Sequence, residues 1–80
     1  MSPPRKRSLT LRGHATSVSL EAEFWAAFRR IAADRGLSVN ALAAEIDARR
    51  DLDTGLASAL RVFVLTELER RLAQRAGGIE

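Results

Sequence analysis

Four cations, Arg5, Lys6, Arg7 and Arg12, stand in residues 1–20 without a single acid beside them. Ala15, Ser17 and Ser19 then recur at alternate positions, and Ser38-Val39-Asn40 follows Gly36 further on. The chemistry that these types offer is recognition of an anion. Guanidinium and ammonium groups neutralise phosphate, and small hydroxyls donate or accept hydrogen bonds. A serine that caps a helix opens a row of backbone N–H groups, which attract anions. Residues 21–80 hold nine basic and ten acidic side chains, so the positive charge is concentrated at one end. Such an end suits a polyanion, most often nucleic acid, or serves as a solvated tail.

Catalytic chemistry fits these residues poorly. His14 is the sole histidine, there is no cysteine, and no acid lies within helical reach of His14. No nucleophile–base pair, glycine-rich phosphate loop or metal-ligand spacing occurs. The expectation is a protein that is not an enzyme and uses neither cofactor nor metal. His14 is then a turn residue or a nucleic-acid contact. Trp25, at the edge of an apolar stripe, reads as partial core. Arg29-Arg30 and Arg49-Arg50 read as solvated helix faces with i,i+4 partners such as Glu45 to Arg49.

The elements that must position these residues are few. Eighty residues allow one domain, yet 46% of them are hydrophobic. A partner subunit is the simplest place for that surplus. No apolar run approaches the roughly 18 residues of a membrane span. The basic start is not followed by an apolar segment of the secretory kind, so a cytoplasmic location is expected.

Residues 1–7 read as a basic flexible arm, residues 8–75 as the folded domain and residues 76–80 as a tail. Ser8–Arg12 and Thr16–Leu20 both alternate as half-buried strands do, but with opposite parity: Leu9 and Leu11 are odd, Val18 and Leu20 even. A two-residue hairpin loop at Gly13-His14, of type II′, reconciles them and sets Leu9 opposite Val18 and Leu11 opposite Thr16. The rival is a glycine bulge or break that leaves Ser8–Arg12 as part of the arm. Helix one is predicted over Glu21–Arg35, burying Phe24, Ala27, Phe28 and Ile31 and stopping at Gly36. Helix two is predicted over Val39–Arg50, capped by Ser38 and facing inward with Val39, Leu42, Ala43 and Ile46. Helix three is predicted over Leu56–Arg75, with Leu56, Leu60, Val64, Leu68 and Leu72 as an i+4 row. Its apolar residues spread around several sides, which points to a subunit interface.

A single short strand ahead of two helices leaves its own backbone groups wanting a partner. Two copies pairing antiparallel make a two-stranded ribbon, which fits the major groove of B-DNA. The alternating strand, the helix of about four turns, the Gly36 stop and the Ser38-Val39-Asn40 entry resemble ribbon-helix-helix repressors of the Arc and methionine-repressor type. Over residues 8–72 the chain looks more like a bacterial subgroup with an added C-terminal helix. The phrases that carry this are Arg12-Gly13-His14, Leu20-Glu21-Ala22-Glu23-Phe24-Trp25 and Ser58-Ala59-Leu60-Arg61-Val62-Phe63.

The resemblance implies a mostly α fold with a short N-terminal β segment, closed as an intertwined homodimer or a tetramer on double-stranded DNA. It implies that Ala15, Ser17 and Ser19 face the bases and that Ser38, Val39 and Asn40 clamp a phosphate. Arg5, Lys6, Arg7, Arg12 and His14 complete the expected DNA-contacting set. The base-facing positions depart from the long polar side chains usual in this family, so direct readout is expected to be weak and phosphate contacts dominant. The alternative is an antitoxin, adaptor or assembly module whose main partner is another protein.

Overall fold

The computed structural model describes residues 2–78. Strands β1 (Arg5–Leu11) and β2 (His14–Leu20) form an antiparallel hairpin. Helices α1 (Ala22–Asp34), α2 (Val39–Arg49) and α3 (Leu56–Gly78) follow. The expected mostly α architecture with an N-terminal β segment and a third helix is present.

Residues 8–11 belong to a hairpin strand and Arg12 to its turn, not to an arm. The turn falls one residue earlier than expected, however. Arg12 (φ 52°) and Gly13 (φ 82°) occupy it, and two successive left-handed residues define a type I′ turn. Leu9 therefore pairs with Thr16 and Leu11 with His14. Moving both turn positions back by one slides each residue two along its partner strand, which preserves the faces. Leu9, Leu11, Val18 and Leu20 still share one side, and all are buried. The slide also brings more of the N-terminal chain into the ladder. Arg5 pairs with Leu20, Lys6 with Ser19 and Arg7 with Val18, so the expected arm of residues 1–7 is reduced to the segment before β1.

Even that segment is tied down. The Ser2 hydroxyl donates to Glu23 Oε1 at 2.7 Å and accepts from the Ala22 N–H at 3.2 Å. Glu21, the N-cap residue of α1, makes no side-chain cap of its own, so Ser2 supplies one from outside. Met1, and Ile79 and Glu80 of the expected tail, lie outside the described residues. α3 continues through Gly78 instead of ending at Arg75.

α1 buries Phe28, Ile31 and Ala32, with Phe24, Trp25 and Ala27 packed partly buried around them. Its end satisfies its own carbonyls. Gly36 (φ 68°) donates to Ala33 O and Leu37 donates to Ala32 O, the bond pair of a Schellman motif. α2 begins as predicted: Ser38 Oγ accepts from the Ala41 N–H at 3.0 Å. It buries Leu42 and Ala43. Phe28 is central to the core, with Trp25 stacked at 6.2 Å and Phe63 edge-on at 6.2 Å.

α3 corrects the expected leucine row. Leu60 and Val64 are buried, but Leu68 is 45% and Leu72 68% exposed, while Glu67 is 4% exposed. At 3.6 residues per turn, each i+4 step advances about 40° around the helix, so a pure i+4 row spirals off the face it starts on. Leu60, Val64, Glu67 and Arg71 alternate steps of four and three and stay on it. Glu67 is accommodated there by three guanidiniums: Arg70 at 2.7 Å, Arg71 at 2.8 Å and Arg35 at 2.9 Å. Arg71 also reaches Asp34 at 2.8 Å. This cluster joins the end of α1 to the middle of α3. Hydrogen bonds from Arg70, then Arg71 and Arg35, outweigh burial and hold the Glu67 carboxyl down at about 2.

Candidate nucleic-acid interface

Alternation along the hairpin sorts its side chains. Arg5, Arg7, Leu9 and Leu11 of β1 share the helix-facing side with His14, Thr16, Val18 and Leu20 of β2. Lys6, Ser8 and Thr10 share the outer side with Ala15, Ser17 and Ser19, and all six are exposed. The outer face is thus one lysine, four hydroxyls and one methyl, with no acid.

The backbone is sorted in the same way. Hydrogen-bonded and non-bonded pairs alternate along an antiparallel ladder. The Thr10 N–H donates sideways to Asn40 Oδ1 at 3.0 Å, and the Ser19 carbonyl accepts sideways from Arg61 Nη2 at 3.2 Å. Those two bonds identify the outward-facing backbone set as Lys6, Ser8 and Thr10 on β1 and Ala15, Ser17 and Ser19 on β2. The edge of β1 is partly covered by α2. On the edge of β2, the N–H groups of Ala15 and Ser17 meet no acceptor among the described residues. Arg61 also grips Glu21 through Nε and Nη2 at 3.0 and 3.2 Å, which lowers the Glu21 carboxyl and anchors the junction of β2 with α1 to α3.

The α2 N-terminus lies beside this sheet. Asn40, in its first turn, is the residue that bonds Thr10. Ser38 is spent on the Ala41 N–H. The N–H groups of Val39 and Asn40 have no acceptor among the described residues, as expected of the first positions of a helix. The structure therefore sets the expected helix entry beside the β1 edge of the hairpin that carries the expected strand residues on its outer face.

It does not bring all the expected cations there. Arg7 is turned inward, half-buried, with its guanidinium 5.6 Å from the Trp25 ring. Its Nε is buried without a hydrogen-bond partner among the described residues. Arg5 and His14 also belong to the helix-facing side, though both are exposed. Arg12, in the turn, donates to the Ala44 carbonyl at 3.4 Å. Lys6 is the one member of the basic run on the outer face. Ser8 and Thr10 join the surface through the alternation that placed Ser17 and Ser19 there, a signal present in the sequence. The bond between Thr10 and Asn40 had no such signal, because it depends on how α2 docks. The expected Glu45–Arg49 pair does not form, and Arg50 instead bonds Asp47 at 2.7 Å.

Residues 4–68 match the family described as a ribbon-helix-helix domain. No curated protein and no solved structure matches the chain.

Proposed function

This chain belongs to the ribbon-helix-helix domain family, and we propose that it is a DNA-binding transcriptional regulator acting as a homodimer. The reading places it among cytoplasmic bacterial repressors of this fold that carry an added C-terminal helix. Two copies pair β2 against β2 along the open edge, giving a sheet in the order β1, β2, β2, β1. Four strands about 4.8 Å apart span about 14 Å, more than the roughly 12 Å width of the major groove. The central β2 pair therefore enters the groove, and each β1 rides over a rim. Ala15, Ser17 and Ser19 face base edges, while Lys6, Ser8 and Thr10 meet phosphate oxygens. The open N–H groups of Val39 and Asn40 close on the next phosphate.

The observation that carries this reading is the bond between Thr10 and Asn40. It sets a helix N-terminus with two open donors against the edge of an exposed face made of hydroxyls and a lysine. Serine accepts and donates without discriminating strongly between bases. Affinity should accordingly come chiefly from phosphate contacts.

Fluorescence anisotropy of a labelled duplex, titrated at low and moderate salt, tests this. With about six phosphate contacts per dimer, log K falls against log salt with a slope near −5. Absence of binding at low salt by a folded protein overturns the DNA function.

A second reading, an antitoxin or adaptor held by another protein, draws on the exposed Leu65, Leu68 and Leu72 of α3. It predicts a partner that co-purifies stoichiometrically, with α3 substitutions abolishing the complex.

A further inference from the structure

Two side chains from the helices hold the backbone of the hairpin at its edges. Asn40 of α2 takes the Thr10 N–H on the β1 edge, and Arg61 of α3 donates to the Ser19 carbonyl on the β2 edge. Thr10 stands opposite Ala15 near the turn, and Ser19 stands opposite Lys6 at the far end. The two holds therefore sit at diagonally opposite corners of the sheet. A ribbon held at one corner can rock over the helices beneath it, and a second hold at the opposite corner removes that freedom.

Among the described residues, Arg61 is the one α3 side chain that hydrogen-bonds the hairpin. Arg70 and Arg71 bond side-chain carboxylates alone. The Arg61 guanidinium instead divides its donors. Nε and Nη2 meet the Glu21 carboxylate at 3.0 and 3.2 Å, and Nη2 also reaches the Ser19 carbonyl at 3.2 Å. Its centre lies 5.8 Å from the Phe24 ring of α1. Between the two residues that it holds stands Leu20, which is buried in the core. An ion pair alone would need Glu21 and nothing more. The bond to the carbonyl fixes main chain, at the last outward residue of β2 before the entry to α1.

We propose that Arg61 is a positioning residue for the DNA-binding face: it sets the place of Ser19 and the angle at which β2 passes into α1, without itself touching DNA. The inference rests on the DNA reading of the outer face. A serine hydroxyl is short, so its reach to a base edge is decided by where its main chain stands. A site loosened by about 1 Å loses function while the protein stays folded. The bond leaves the β2 edge able to take a second strand, since a carbonyl oxygen has two lone pairs. Lysine does not reproduce the hold, because an ammonium is a point charge without the planar fork that spans a carboxylate and a carbonyl.

Arg61→Lys and Arg61→Met in the full chain separate positioning from its rivals. Lysine keeps the charge beside Glu21, and methionine keeps an apolar stem beside Phe24. Folding is followed by circular dichroism. The probe is a labelled duplex of mixed sequence, titrated over a series of salt concentrations. Arg61→Lys is expected to bind about tenfold more weakly, the order of one misplaced base contact. Arg61→Met should be at least as weak, and both should keep the wild-type salt slope. A slope shallower by about one for each lost contact in Arg61→Met places the guanidinium on a phosphate and overturns the proposal. Wild-type affinity in the folded variants also overturns it, leaving Arg61 a structural ion pair only. NMR reads the positioning without DNA, so a wild type that binds no duplex removes the DNA reading while the positioning is still decided. Arg61→Lys should shift the Ser19 carbonyl carbon and loosen the Ser17 and Ser19 amides, with Thr10 at the opposite corner unmoved. An unmoved Ser19 refutes the positioning role.

Discussion

Lys6 and Arg7 are adjacent cations with opposite duties. Lys6 stands on the outer face and touches no described partner, whereas Arg7 packs over Trp25 on the inner one. Lys6→Ala should leave the unfolding midpoint in place and make the salt slope of DNA binding shallower, by about one for each phosphate left without its ammonium. Arg7→Ala should cost roughly 0.5–2 kcal/mol of stability, the range of a cation–π interaction, with little change in that slope. Chemical denaturation and anisotropy on the two variants check the division. Glu67 gives a pH prediction. Its folded value near 2 lies below the ordinary 4.5, so its contribution is fully present above the ordinary value and is lost as pH falls toward 2. Glu67→Gln should flatten the acid limb of stability against pH and cost roughly 1.5–3 kcal/mol at neutral pH. The outward set Ala15, Ser17 and Ser19 was legible because strand alternation needs no tertiary knowledge. The inward turn of Arg7 was not, since it depends on β1 extending to Arg5 and on Trp25 lying beneath it.

Among the elements, α1 and α2 could be read almost in full. Phe28 and Ile31 follow the 3.6 period, Gly36 supplies the left-handed residue and Ser38 the cap. Phe28→Ala, at the centre of that stripe, should cost about 3–5 kcal/mol, enough to unfold a marginal domain. Thermal melts that showed a cooperative fold of undiminished stability would contradict the core assignment. The hairpin was half legible. Parity demanded a turn near Gly13, but turns at Arg12-Gly13 and at Gly13-His14 put the same residues on the same faces. Parity alone cannot choose between them. In the turn that forms, Arg12 takes a left-handed conformation that costs a non-glycine residue roughly 1–2 kcal/mol. Its side chain meets the α2 carbonyl of Ala44, and the longer ladder reaches Arg5. On α3 an i+4 row was a sound guide for two turns and a poor one for five, because its rotation accumulates.

As a whole the molecule spans 46 × 28 × 25 Å, drawn out along one axis. The hydrophobic surplus in the composition suggested a partner subunit to bury it, and part of that surplus lies on the apolar side of the hairpin. The single chain already buries that side, with Leu9 and Leu11 joining Val18 and Leu20 in one core cluster with α1, α2 and α3. What is left uncovered is on α3 and the loop before it. The spread of apolar residues around helix three pointed to it; which of them face the core was hidden, because the faces of a long helix are assigned by its neighbours. The Arg–Glu cluster marks a border along α3. Before it, Leu60 and Val64 sit in the core, while residues 72–76 after it are all exposed. Amide hydrogen exchange should register this as a sharp gradient. Protection near that of global opening is expected through Val64, with fraying rates beyond Arg71 and an intermediate value between them that drops on acidification. On that expectation the last third of α3 opens as a unit of its own, with the carboxylate of Glu67 as its latch.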